Sequence, residues 1–320
     1  MSQVKQSMAL GIIFALITAV LWGAVPIAMK QVLPVMTPYT LVWYRFIISA
    51  IGLGIVLAVQ GKLPRLRLFR RPRWFVILMI AALGLAANFI FFSSALQYLS
   101  PTASQVIGQL SPVGMLFASV IILKETMRIT QIIGGILLIL GLALFFNTNL
   151  VEIFTRLTDY TLGVLLGVLA SLVWICYGVA QKVLQRRLSA SQILFLLYVL
   201  STLFVSPMAV PREVFNLNAW QLACLIFCGL NTLVAYGALG EAMARWQVAQ
   251  VSALITLTPL FTLLFSDLLA LIWPDYFSMT MLNILGYSGA FIVVIGAMIS
   301  AAGHRLFSHR IKKTPVLPLK

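Results

Sequence analysis

Charge is scarce in this chain. Charged residues make up only 9% of its 320 positions, and the acidic ones number seven against 22 Lys and Arg. Because a soluble domain carries roughly a quarter charged residues, this composition excludes a water-facing surface over most of the chain. Hydrophobic residues reach 62%, with a mean hydropathy of +1.05. The sequence therefore predicts an integral membrane protein.

Residues that carry metal or nucleophilic chemistry are also few. The two histidines, His304 and His309, lie in a basic C-terminal stretch, and the three cysteines lie within apolar runs. We expect those cysteines to pack as small hydrophobes. No Gly-rich phosphate loop of the P-loop form occurs in the sequence. We therefore predict no cofactor, no metal site and no direct use of ATP.

Ten apolar runs are long enough to cross a bilayer, which takes about 20 residues. The predicted fold is an all-α integral membrane protein with ten transmembrane helices. The first run continues into Pro26 and Lys30 without a small-residue cleavage site, so we read it as a retained helix. The predicted spans are 8–30, 38–60, 74–97, 101–123, 130–147, 161–182, 190–210, 219–240, 248–273 and 280–303.

The basic residues predict the orientation of these spans. With a cytoplasmic N-terminus, 18 of the 22 Lys and Arg fall on the inner side, Lys30, Arg156 and Arg212 fall outside, and Arg45 lies within a span. This asymmetry predicts a multi-pass inner-membrane protein with both termini in the cytoplasm. The charges occupy short connectors rather than a basic stripe with exposed aromatics, so we expect the lipid bilayer as partner and no nucleic acid. The sequence predicts no particular oligomeric state.

One stretch of sequence occurs twice. "ALITAVLWGAVPIAMK" contains Trp22 eight residues before Lys30, and "GVLASLVWICYGVAQK" contains Trp174 eight residues before Lys182. Pro112 and Pro259 likewise occupy the middle of the fourth and ninth spans. Because five is an odd number of helices, a second set of five enters the membrane from the opposite side. We therefore predict two inverted five-helix repeats, residues 1–150 and 151–303, around a central cavity, followed by a basic cytoplasmic tail, 304–320.

The order of several short motifs resembles the EamA-type transporters of the drug/metabolite transporter superfamily. The motifs are Trp22 in the first span, "WYRF" at Trp43–Phe46, the Ser-Pro of the fourth span and "LKE" ending at Glu125. The resemblance covers about residues 8–303. It implies a ten-helix inverted-repeat bundle and transport of small metabolites, often export of amino acids or related compounds. The second half departs from the pattern because its corresponding acid, Asp275, is displaced by "IWP".

Polar and aromatic side chains inside the spans are the candidates for contact with a substrate. Neutral polar groups can line a wet pocket or hydrogen-bond neighbouring helices, and the tryptophans can stack on a ligand or anchor at the interface. The candidates are Trp22, Asn88, Ser94, Gln105, Gln109, Trp174, Tyr177, Tyr198, Asn231, Tyr236 and Thr256.

Four further residues are candidates for gating or coupling. Pro112 and Pro259 disturb the carbonyls four residues earlier, at Gly108 and Ile255. The resulting bends either shape the cavity or are static kinks. Arg45 and Asp267 are charges within spans, each about 10 Å below the outer surface at 1.5 Å per residue. Intramembrane charges are functional candidates: we predict a pair or an outer gate, with Asp267 as a possible proton site. Alternatively, Arg45 extends to the interface and Asp267 caps a turn.

Taken together, the sequence predicts a secondary transporter of small organic metabolites that works by alternating access, a mechanism for which inverted repeats are suited. It is predicted not to be an enzyme. A channel or a carrier of lipids or amphiphiles is an alternative. A membrane-embedded enzyme is disfavoured because Asp267 is the only clearly intramembrane acid and both histidines lie in the tail.

Overall fold

The computed structural model describes residues 8–64, 66–114, 129–246, 248–277 and 282–307. Every regular element within these ranges is helical. The α-helices are α1 Met8–Val32, α2 Pro38–Val59, α3 Pro72–Tyr98, α4 Pro101–Gly108, α5 Ile129–Phe145, α6 Leu150–Thr155, α7 Asp159–Leu184, α8 Ala190–Val205, α9 Ala219–Arg245, α10 Val248–Ile255, α11 Thr258–Ile272 and α12 Ile284–Phe307. Short 3-10 helices occupy Leu66–Arg70, Ser206–Met208 and Pro211–Asn216.

Eight helical stretches in the described ranges are long and apolar enough to cross a membrane, and α5 is a shorter apolar helix of 17 residues. The chain is thus a multi-pass membrane protein of helices. The fourth predicted span, 101–123, is seen only as α4 and a further helical stretch at 110–114, because 115–128 lie outside the described residues. The ninth predicted span consists of two helices, α10 and α11.

The helix starts follow local capping chemistry. Thr37, Ser100, Thr158, Ser189 and Asn218 each accept, through a side-chain oxygen, a backbone N–H of the following first turn. Such caps satisfy donors that have no partner inside the helix. Between these starts the helices are apolar on all sides, and many large side chains remain exposed, including Ile55, Ile136 and Leu271. Exposed apolar faces of this kind are typical of a lipid-facing surface.

The helices pack in a regular pairing. The most extensive contacts join α5 to α12, α3 to α7 and α1 to α9, followed by α2 with α8 and with α9. At the α5–α12 crossing, a Cβ added to Gly289 would lie 2.3 Å from the backbone nitrogen of Phe145, and one added to Gly134 would lie 2.4 Å from that of Ser300. Close backbone approach through small residues is a standard way to associate helices in lipid.

Two similar hydrogen bonds join helices in the first and second parts of the chain. The Ser49 hydroxyl of α2 donates to the Gly229 carbonyl of α9 at 3.2 Å, and the Ser201 hydroxyl of α8 donates to the Ala82 carbonyl of α3 at 3.1 Å. Ser49 and Ser201 are 152 residues apart, and Ala82 and Gly229 are 147 apart. Each bond joins a serine hydroxyl on one helix to a backbone carbonyl of another helix.

Two helix breaks face each other near the middle of the molecule. α4 ends at Gly108 and α10 ends at Ile255, four residues before Pro112 and Pro259 respectively. This is where a proline, which lacks an N–H, is expected to interrupt a helix, and both helices do end at these positions. In the second break, the Thr258 hydroxyl donates to the Ile255 carbonyl at 2.6 Å. α4 packs against α11, which brings the two breaks together.

Candidate functional site

A cavity of about 230 Å³ lies at the two helix breaks. Helices α1, α2, α3, α7 and α9 form its other walls. Its lining combines aromatic rings, neutral polar groups and one charged side chain. The lining residues are Trp22, Val25, Arg45, Asn88, Phe89, Phe92, Gln105, Gly108, Gln109, Ser111, Pro112, Ala170, Ser171, Trp174, Tyr236, Ile255, Thr256 and Thr258.

The aromatic wall joins both halves of the chain. The rings of Trp22 and Trp174 meet edge to face, with centroids 6.4 Å apart. Tyr236 contacts both of them, at 5.3 Å from Trp22 and 6.5 Å from Trp174. Large, flat side chains in such a cluster are suited to contact the apolar body of a ligand.

The amide side chains of the cavity also hold the surrounding helices in place. Gln105 Nε2 donates to the Trp22 carbonyl at 2.7 Å, and Asn88 Nδ2 donates to the Ala170 carbonyl at 2.8 Å. Each bond joins one helix to another, as expected for polar groups in lipid. Gln109 Oε1, by contrast, is buried without a hydrogen-bond partner in the described part of the chain. The amides thus act both as cavity lining and as links between helices.

Arg45 supplies the positive charge of the cavity. Its side chain is buried, with 6% of the residue exposed. Nε and Nη2 donate to Thr232 Oγ1 at 3.2 and 3.1 Å, and Nη1 contacts Met29 Sδ at 3.2 Å. Cζ lies 4.5 Å from the ring centroid of Phe89, a cation–π distance. The guanidinium therefore points inward among neutral groups rather than outward to the interface.

Most of the candidates named from the sequence line the cavity. Seven of the substrate candidates do so, together with two of the gating candidates. They are Trp22, Asn88, Gln105, Gln109, Trp174, Tyr236 and Thr256, with Arg45 and Pro112.

The remaining candidates lie elsewhere. Tyr177 and Tyr198 are fully buried, with Tyr177 packed on Gly84 and Tyr198 between Phe46 and Tyr236. Asn231 Nδ2 donates to the Leu21 carbonyl at 2.6 Å, and thus links α9 to α1. Ser94 and Pro259 are not among the lining residues either. Packing and hydrogen bonding thus hold Tyr177, Tyr198 and Asn231 between helices.

Arg45 and Asp267 do not pair in this structure. The Tyr287 hydroxyl of α12 lies 3.3 Å from Asp267 Oδ2, which directs that carboxylate toward α12 while Arg45 faces α1 and α9. Within the described ranges, the ion pair that forms is Arg245 with Glu241. Nor does any group of three His, Cys, Asp or Glu side chains suited to a metal ion occur there.

Phe89, Phe92 and Val25 line the cavity without having been singled out from the sequence. As apolar residues in apolar helices they give no local signal. Phe89, however, stands 147 residues before Tyr236, the separation that also relates Pro112 to Pro259. The predicted repeat is therefore the signal in the sequence that could have pointed to Phe89.

Long apolar helices, two interrupted helices and a cavity lined by aromatic and neutral polar groups are the features expected of a membrane transport protein. Comparison with known families agrees: the EamA-like transporter family matches this chain twice, over residues 9–147 and 161–302. The chain belongs to the EamA-like transporter family.

Relatives extend over nearly the whole chain. The uncharacterized inner membrane transporter YhbE of Escherichia coli K12 is 66% identical over 98% of both chains. An uncharacterized transporter of Haemophilus influenzae is 46% identical over 96% of this chain and 99% of its own. A solved crystal structure, 17% identical, covers 92% of this chain and 98% of its own with a TM-score of 0.62. That last likeness concerns the fold alone.

Proposed function

We propose that this protein is a secondary transporter of small organic metabolites that works by alternating access between two inverted five-helix repeats. It resides in the inner membrane with both termini in the cytoplasm, and exports amino-acid-like or related amphiphilic solutes. The observation that carries the proposal is the cavity at the meeting point of the two helix breaks. Broken helices around a central site are a recurrent feature of secondary transporters.

Equivalent contacts in the two halves support the inverted repeat. Gly11 lies against Trp246, and Gly163 lies against Leu99. Gly11 and Gly163 are 152 residues apart, and Leu99 and Trp246 are 147 apart, the same separations as in the two serine hydrogen bonds. The close contacts between α5 and α12 show the same kind of correspondence. Gly134 lies against Ser300, and Gly289 lies against Phe145. The two glycines are 155 residues apart, and so are Phe145 and Ser300. Two copies of one fold that face each other across an axis in the membrane plane would give this pattern.

A difference between the two halves supports an inward-facing state. Lys30 Nζ donates to the carbonyls of Leu96, Gln97 and Leu99 at the end of α3, at 2.5, 3.2 and 3.0 Å. A cation satisfies free carbonyls at a helix C-terminus. The repeat equivalent, Lys182, is exposed at the end of α7. Moreover, α1 packs against α3 more extensively than the described parts of α7 and α9 pack against each other.

In the proposed cycle these two lysines alternate. Lys30 closes the outer end while the inner end is open. In the outward-facing state, Lys182 would donate to the carbonyls of Met243, Ala244 and Trp246. These residues lie 147 positions after Leu96, Gln97 and Leu99, whose carbonyls Lys30 contacts. Exchange of the two arrangements would carry the cavity from one side of the membrane to the other.

The cavity volume favours a small solute over a lipid. At about 230 Å³ it is smaller than the roughly 300–1,000 Å³ of drug-sized sites. A carrier rather than a channel is favoured because the rings of Trp22, Trp174 and Tyr236 pack against one another at the cavity instead of lining an open pore. An enzymatic reaction is disfavoured because the described lining residues include no acid, histidine, lysine or cysteine that could serve as a general base near neutral pH.

Counterflow in proteoliposomes tests the transport proposal. Purified protein is first screened for metabolites that raise its melting temperature, since a ligand that binds the folded state stabilises it. Radiolabelled ligand should then accumulate transiently in vesicles preloaded with the unlabelled compound, with saturation. Uptake that is proportional to concentration without counterflow would contradict a carrier and favour a channel.

Labelling in whole cells tests the threading. In a variant without the three native cysteines, Arg186→Cys should react with a membrane-impermeant maleimide only after the inner membrane is permeabilised. Arg212→Cys, an exposed residue on the predicted outer side, is the matched control and should react directly. Direct reaction at position 186 would contradict the proposed topology.

A further inference from the structure

The positive charge of the cavity has no acidic counter-ion among the described residues. Of the seven acids, Glu125 lies outside those residues, and Asp159 and Asp275 are exposed. The others have partners elsewhere: Glu152 with Thr158, Glu213 with Thr37, Glu241 with Arg245 and Asp267 with Tyr287. Arg45 is thus a buried cation whose protein contacts are neutral.

Burial of a lone charge is expensive, and intramembrane Arg residues normally pair with an acid or line a functional cavity. Arg45 does the latter. Thr232 Oγ1 accepts one N–H from Nε and one from Nη2, and Met29 Sδ accepts one N–H from Nη1. Because a guanidinium has five N–H groups, one N–H remains on each terminal nitrogen. Two N–H groups on the terminal nitrogens of an Arg are the arrangement that binds a carboxylate in a bidentate manner.

The rest of the cavity fits a ligand that has an apolar body and a hydrogen-bond donor. Trp22, Trp174 and Phe92 supply aromatic surface, and Gln109 Oε1 is a buried acceptor without a partner in the described chain. An ammonium group would find no carboxylate among the described lining residues. The cavity therefore favours a ligand of net negative charge over a cation.

We propose that Arg45 binds the carboxylate of the cargo, and that the cargo is a small organic acid with an apolar or aromatic body. This proposal rests on the transport function proposed above. The bound carboxylate serves as the counter-ion that the described residues do not provide, and it neutralises the charge of Arg45 when the cavity is loaded. The Arg45–Thr232 and Arg45–Met29 contacts hold the guanidinium at the cavity wall in the empty state.

A paired thermal-shift panel tests the chemistry of the ligand. Benzoate, 3-phenylpropionate and hexanoate are each compared with their own primary amides, with chloride at equal concentration as the ionic control. At least one carboxylate should raise the melting temperature of the native protein. Its amide should need a concentration about tenfold higher or more to give the same shift. The proposal is overturned if no carboxylate stabilises more than its amide or if chloride does so equally.

Substitutions then assign the effect to Arg45. Arg45→Gln should weaken carboxylate binding by about tenfold or more, and Arg45→Lys should restore part of it because the charge remains and the planar fork is lost. Arg186→Gln removes an exposed Arg and is the matched control, expected to bind as the native protein does. Unchanged carboxylate binding in Arg45→Gln overturns the proposal. If that variant does not fold, the comparison of acids with amides in the native protein and in Arg45→Lys decides.

The two proposals fail in different ways. Binding of a carboxylate that depends on Arg45, without counterflow, would remove the transport function and leave the site in place. Saturable counterflow of a neutral solute that is unaffected by Arg45→Gln would remove the Arg45 site and leave the transport function.

Discussion

At the scale of single residues, the glycines between α5 and α12 show how one missing side chain fixes a helix crossing. Gly134, Gly141, Gly289 and Gly296 all face backbone atoms of the opposite helix, with less than 3 Å available for a Cβ. Backbone atoms cannot rotate away as a flexible side chain does. Any side chain at these four positions must therefore push the helices apart, which loses van der Waals contact along the crossing.

We expect Gly289→Ala to lower the apparent melting temperature of the purified protein, with a loss of about 1–3 kcal/mol from overpacking. Gly135→Ala is the matched control on α5, because its Cβ would meet only Val113 Cγ1, at 3.8 Å. The control should be neutral or slightly stabilising, since Ala favours the helix more than Gly does. Equal melting temperatures for the two variants would contradict the close crossing.

Arg45 and the tryptophans show what residue type alone can indicate. A charge or a large aromatic inside an apolar span stands out in the sequence, and Trp22, Trp174 and Arg45 do line the cavity. Tyr177 and Tyr198 stood out equally and do not line it. The difference lies in the helix face that each occupies, because neighbouring residues on a helix differ by about 100° in direction.

At the scale of elements, the broken helix α10–α11 depends on one hydroxyl. Pro259 cannot donate to the Ile255 carbonyl, and the Thr258 hydroxyl replaces that donor at 2.6 Å. An unsatisfied carbonyl is costly within lipid. The sequence predicted the place of the break through Pro259, but the residue that stabilises it became clear only from the structure.

Thr258→Val should therefore destabilise the protein by about 1 kcal/mol, within the range for hydrogen bonds inside membranes. Thr202→Val is the control: the Thr202 hydroxyl donates to the Tyr198 carbonyl at 2.8 Å within the continuous helix α8, where that carbonyl keeps its backbone partner. Thermal melts of both purified variants compare the two. A loss in Thr202→Val as large as in Thr258→Val would show that the break needs no hydroxyl.

At the scale of the whole molecule, the proposed exchange between halves predicts opposite effects of two lysine substitutions. Ser111 lines the cavity, so Ser111→Cys in the variant without native cysteines reports which side the cavity faces. Lys30→Ala should increase its labelling from the periplasmic side in intact cells, because the contact between α1 and α3 that we propose closes the outer end is lost. Lys182→Ala should leave periplasmic labelling unchanged or lower it.

Periplasmic labelling that rises equally in both lysine variants would indicate general loosening rather than a gate. No rise in Lys30→Ala would contradict its role in closing the outer end. Circular dichroism and melting temperature of each variant serve to separate gating from loss of fold.

The sequence by itself determined that the chain is a helical membrane protein, where most helices begin and end, and where α4 and α10 break. These features depend on local properties: apolar length, capping side chains and the missing N–H of Pro112 and Pro259. The tertiary structure decided which helices meet, and so which polar groups line the cavity. Asn88 and Asn231 both donate to a carbonyl of another helix, yet only Asn88 reaches the cavity. The physical reason is that these helices are apolar on nearly every face, so only packing selects the face that turns inward.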